Sequence, residues 1–111
     1  MGKNIWDHRV EAAKIYRQLS KTAMAGNRAS ITARELRTAL LDAGFSDKKK
    51  DGSKMEDAGV RLQVNKALGA IKASGLANGD FADTAAYDKW KADRFVQIRA
   101  PKIIPGITGI I

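Results

Sequence analysis

The sequence predicts a mainly α-helical protein with a small β component, and three observations carry that prediction. Apolar residues recur at spacings of three and four within residues 5–24, 31–45 and 60–75, the period of a helix that buries one face. Helix punctuation surrounds them, above all in ITARELRTALLDAGF, residues 31–45, which opens on a capping pair and closes on glycine. Strand chemistry is strongest in FVQIR, residues 95–99, where β-forming residues alternate with polar ones.

The first helix is expected over 5–24, IWDHRVEAAKIYRQLSKTAM, with Ala12, Ile15, Tyr16, Leu19 and Ala23 on the buried face. Asn4 or Asp7 is its candidate cap. Lys14, Arg17 and Lys21 form a neighbouring stripe, and Gly26-Asn27 turns the chain.

The second helix is expected over 33–43. Thr32 as N-cap and Glu35 three residues on make a capping box, and Ile31 with Leu36 a hydrophobic staple. Gly44 tolerates the positive φ of a helix stop, with Phe45 packing back on Leu40. Leu36, Leu40 and Ala43 point inward; Arg34, Arg37 and Thr38 point outward.

Residues 46–59, SDKKKDGSKMEDAG, read as a polar loop that gives way to a third helix between Lys54 and Val60, with Ser53 and Glu56 a candidate for another capping box. That helix buries Val60, Val64, Ala67, Leu68 and Ile71. Arg61, Asn65, Gly69 and Lys72 line a separate face, with Gln63 and Lys66 beside them, and Gly75 ends it. The DKKKDG stretch fails as a calcium loop: counted from Asp47, the third position is Lys49 and the twelfth Ala58, where oxygen ligands are required.

Asn78-Gly79 is a tight-turn pair. A short helix follows over 84–94, capped by Asp83 and presenting Tyr87, Trp90 and Lys91 along one side, then the FVQIR strand, which Pro101 stops. Tyr87 and Trp90 read as core rather than as a base-stacking surface, Trp6 as packed on the domain, and His8 as a surface residue. Residues 1–99 form one domain. Residues 100–111, APKIIPGITGII, are an extended Ile-rich arm, too broken for a helix and too short to cross a membrane.

Charge points to the class of partner. Among 111 residues, 20 Lys and Arg stand against 12 Asp and Glu, a net charge of +8 that suits a polyanion. Residues 1–50 hold 11 of those cations and 5 of the acids, so the excess lies mainly in the first half. The chain has no Cys and one His, which excludes disulfides and thiolate metal sites and leaves little for a catalytic centre. Phosphate-loop, nucleophile-elbow and zinc-protease patterns are missing. No enzyme activity, cofactor, metal or small-molecule substrate is expected. No apolar run reaches the roughly 20 residues of a membrane span, so a cytoplasmic protein is expected, or a virion one if it serves in assembly.

SITARELRTALLDAG (30–44) and VNKALGAIKASGLA (64–77) resemble the winged helix-turn-helix superfamily. Residues 30–44 are similar to its support helix, entered through a short strand at Ser30-Ile31. Residues 64–77 are similar to the end of its recognition helix, running into a first wing strand at Gly75-Leu76-Ala77, with the wing ending at FVQIR. The resemblance implies a three-helix core whose helix at about 60–74 enters the DNA major groove. It also implies base contacts from Arg61, Gln63, Asn65 and Lys66, and phosphate contacts from Ser30, Thr32, Arg34, Arg37, Lys48, Lys49, Lys50 and Lys72. The bland alternative for these residues is a solvated face and a solvated loop.

The function these readings favour is a small DNA-binding protein, a regulator or DNA-site recognition factor, acting as a homo-oligomer. One alternative is a phage-type structural, assembly or DNA-packaging protein whose arm docks on a partner through Ile103, Ile104, Ile107, Ile110 and Ile111. Another is an RNA- or ribosome-associated binder.

Overall fold

A computed structural model describes residues 3–99. In chain order the elements are β1 (Lys3–Asn4), α1 (Arg9–Ala25), β2 (Ser30–Ile31), α2 (Ala33–Asp42), β3 (Phe45–Ser46), α3 (Asp57–Asn78), α4 (Thr84–Arg94) and β4 (Gln97–Ile98). The fold is mainly helical with a few short strands, as the apolar spacing predicts. The arm isoleucines Ile103, Ile104, Ile107, Ile110 and Ile111 lie outside the described residues.

The core sits where α1, α2 and α3 meet. Ile5, Ile31, Leu36, Leu40, Val60 and Val64 are fully buried there, and Leu68 nearly so. Val60, Val64, Ala67 and Leu68 follow the three-and-four spacing of one face of α3. The α2 capping box forms as the sequence requires. Glu35 N–H donates to Thr32 Oγ1 at 3.0 Å, and Thr32 N–H donates to Glu35 Oε1 at 2.9 Å. Ile31 and Leu36 close the staple, both fully buried. Asp83 caps α4, accepting from Ala86 N–H at 2.9 Å.

FVQIR is fastened to α1 by two polar groups one helical turn apart. Val96 N–H donates to Ser20 Oγ at 3.2 Å, and the Tyr16 hydroxyl donates to Val96 C=O. Both backbone groups of a buried residue are thereby satisfied. β4 then pairs in parallel with β2, Ser30 opposite Gln97 and Ile31 opposite Ile98. Another parallel pair joins β1 to β3.

Several local expectations are corrected. α1 starts at Arg9 rather than at residue 5, because β1 pairs with β3 and Ile5 is drawn fully into the core; its N-cap is His8, without a side-chain cap. Ser53 and Glu56 form no capping box: Ser53 donates its N–H and hydroxyl to Asp51, and α3 begins after Glu56. Gly75 does not end α3. The helix runs on to Asn78 and stops at Gly79, whose φ of 88° is left-handed. Gly75-Leu76-Ala77 is therefore helix, not a wing strand, and FVQIR pairs with the strand before α2 instead. Ala43 is exposed, and Arg37 turns inward rather than out.

No helix is long and apolar enough to cross a membrane among the described residues. In that same span, no group of three His, Asp or Glu side chains stands close enough to hold a metal ion.

Candidate nucleic-acid interface

Arg61, Asn65 and Lys72 recur along α3 at spacings of four and seven, which places them on one stripe about a quarter-turn from its buried face. The stripe does not stand free. It forms one wall of a groove of about 460 Å³ whose other wall is α4 and β4. Tyr87, Asp88, Lys91 and Ala92 come from α4, Gln97 and Ile98 from β4, and Tyr16 and Leu68 lie at the floor. Gly69 sits between Asn65 and Lys72, and a Cβ there would meet nothing within 4 Å, so the groove is open above it.

The electrostatics of the groove favour an anion. Arg61, Lys72 and Lys91 face it, against the single carboxylate of Asp88. Lys72 Nζ lies 5.5 Å from the centroid of the Tyr87 ring, a cation–π distance. Burial pushes the Tyr16 hydroxyl up to about 12, the nearby Arg61 charge pulling the other way, so Tyr16 stays neutral. Burial also raises Tyr87, with the Asp88 charge adding to it.

Arg61 has an unusual position. Its Nε is buried and has no hydrogen-bond partner among the described residues. The other inward arginine is treated quite differently: Arg37, 8% exposed, donates from Nη1 to Asp47 at 3.1 Å and from Nη2 to Asp57 at 2.5 Å.

The remaining sequence-predicted residues lie elsewhere. Arg37 is withdrawn from any phosphate role, because its guanidinium is committed to two carboxylates. Ser30 is in the β2–β4 ladder and Thr32 in the capping box. Glu35, which completes that box, is bound at 2.6 Å by both arms of Arg28, so a carboxylate already occupies the start of α2. Arg34 and Lys48 are exposed. Gln63 lies on the opposite flank of α3 from Arg61 and accepts from Arg9 Nε at 2.7 Å. Lys66 is exposed on the flank that faces Trp6. Lys49 and Lys50 are exposed beside that same flank.

The outermost stripe of α3, which a helix in the major groove would present, carries Leu62, 49% exposed, and exposed Gly69 and Ala73. Donors flank that stripe; they do not form it. Sequence reasoning missed Lys91, Tyr16 and Asp88 as groove residues and Arg9 as the partner of Gln63. The only signal for Lys91 was its spacing of four from Tyr87, and nothing local pointed to Arg9.

No family model, curated protein or solved structure matches the chain.

Proposed function

We propose that this protein binds nucleic acid, duplex DNA in the first instance, through the cationic groove between α3 and α4. The cationic lining of that groove, Arg61, Lys72 and Lys91 against the carboxylate of Asp88 among the described residues, is the observation that carries the reading. Arg61 lines the groove without the two carboxylates that hold Arg37, and the part of its guanidinium open to the groove calls for an acceptor. Backbone phosphate oxygens supply the required acceptor, and Lys72 and Lys91 extend the same cationic line. Asn65 lies between Arg61 and Lys72 along α3 and has the paired donor and acceptor that suit an adenine edge.

In this reading α2 is the supporting helix and α3 the reading helix of a winged-helix-like protein. The short β2–β4 pair, parallel here, serves in this reading as the counterpart of the small sheet of that class. The phosphate contacts belong to the groove flank of α3, and base contacts to the edge next to Leu62. Regulation, site recognition and packaging all draw on such an interface; the chemistry here speaks to binding itself.

Salt-titrated binding to random-sequence duplex is the test. Each phosphate that the protein no longer neutralises lowers the slope of log affinity against log salt by about 0.9. The triple variant Arg61→Ala, Lys72→Ala, Lys91→Ala should therefore bind more weakly with a slope shallower by up to about 3. An unchanged slope, with the variant folded, would remove the groove from the interface.

A further inference from the structure

Trp6 and the loop after β3 build another concavity, on the flank of α3 opposite the cationic groove. Trp6 is half-buried and packed against the core, its indole Nε1 enclosed and without a partner among the described residues. Lys50 Nζ lies 4.7 Å above the ring centroid, and both residues line the concavity, whose volume is about 470 Å³. Arg9, Lys49 and Lys50 line it against the single carboxylate of Asp51.

The loop that carries the lysines is built rather than slack. Lys49 N–H donates to Ser53 C=O at 2.7 Å, Gly52 N–H to Lys49 C=O at 2.9 Å, and Met55 N–H to Asp47 C=O at 2.7 Å. A bridge between Lys48 and Lys54 closes it. Asp51 accepts both the N–H and the hydroxyl of Ser53, and the three cations outnumber its one carboxylate. Arg9 is oriented by its bond to Gln63.

We propose that this concavity takes an unpaired nucleotide of a single strand, its base stacked on Trp6 and its phosphates held by Lys49, Lys50 and Arg9. Every nucleobase offers a π face, and a flat indole beside a cluster of cations is the arrangement that binds single strands with little regard to sequence. Lys50 covers the ring now. Its interaction is a weak one at an exposed site, and its long flexible stem lets the ammonium move from the ring to a phosphate as a base takes its place. A duplex interior has no free base face to offer, so the ligand here is a strand end or an unpaired stretch. The inference goes beyond the duplex reading of the α3–α4 groove and rests on different residues, so the two fail separately.

The experiment uses the full chain with Trp90→Phe, which leaves Trp6 as the remaining one of its two tryptophans. A single-stranded oligothymidylate of about ten nucleotides, long enough to fill one such site, is titrated against inorganic polyphosphate of matched charge. Saturable quenching of Trp6 fluorescence by the oligonucleotide and none by polyphosphate is expected. Trp6→Leu in the native background should weaken oligonucleotide binding about tenfold or more while leaving polyphosphate binding unchanged. Lys50→Ala, an exposed loop change that spares the core, should weaken it severalfold. Equal quenching by both probes, no quenching, or oligonucleotide affinity indifferent to Lys50→Ala would overturn the proposal. Quenching that survives Arg61→Ala with Lys72→Ala, while duplex binding falls, would separate this site from the groove.

Discussion

The ring of Phe81 lies against the α-carbon of Gly75, in the space that a Cβ at that position would fill. Phe81 N–H also donates to Gly75 C=O at 3.1 Å, so the chain beyond α3 folds back onto the helix at this point. The same ring meets Tyr87 edge-on at 5.4 Å and Trp90 at 5.5 Å between centroids, which ties the position of α4, and hence the groove wall, to this glycine.

Gly75→Ala should therefore destabilise the protein by about 1–3 kcal/mol, the cost of overpacking a well-filled site. The helix propensity gained by alanine is smaller and opposes only part of it. Phe81→Ala made in the alanine background should cost less than in the native one, because the clash has gone. Urea unfolding of the four proteins measures the coupling; strict additivity would show that the ring is not pinned.

The two inward arginines should separate stability from binding. Arg37→Met strands Asp47, whose side chain is only 13% exposed, while Asp57 at 45% can turn to solvent. A loss of about 2–3 kcal/mol is expected, below the full penalty of a buried pair for that reason. Arg61→Met removes a group that has no partner at Nε and should change stability by no more than about 1 kcal/mol. Duplex affinity should move the opposite way, falling for Arg61→Met and holding for Arg37→Met. Equal unfolding costs for the two would sink the distinction.

Glu35 should give the protein an acid-sensitive limb. Its carboxyl is pulled down to about 2, first by the Arg28 guanidinium and then by the Thr32 backbone N–H. The folded value lies below the ordinary 4.5, so this stabilisation is present above that pH and drains as pH falls towards about 2. Because the side chain is 35% exposed, solvent screens the effect and the limb should be shallow. Glu35→Gln should be less stable than the native protein near neutral pH, with the gap narrowing below about pH 4. A gap that stays constant in urea midpoints across that range would contradict the assignment.

Local chemistry was legible where it is settled by neighbours in the chain. The Thr32–Glu35 box, the Asp83 cap, the left-handed glycine at 44 and the buried faces of α2 and α3 all depend on residues within about one helical turn. The misreadings share the opposite property. Gly75 resembled a stop because a glycine near the end of a periodic run is normally one; here it stays helical because an aromatic ring six residues later needs the missing Cβ. Arg37 reads as solvent-facing from its own helix, which offers it no partner, yet its carboxylates arrive from ten and twenty residues away.

By itself the sequence determined that the chain is mainly helical, where α2 and α4 begin, which side chains fill the centre, and that Arg61, Asn65 and Lys72 share one stripe. Periodicity encodes the faces of a helix and nothing about what packs against them. Only the tertiary structure decided that α4 and β4 wall that stripe into a groove, that Gln63 turns to Arg9 on the other flank, and that Arg37 is drawn inward between two carboxylates. Those outcomes depend on residues distant in sequence, where packing and ion pairing override any local preference.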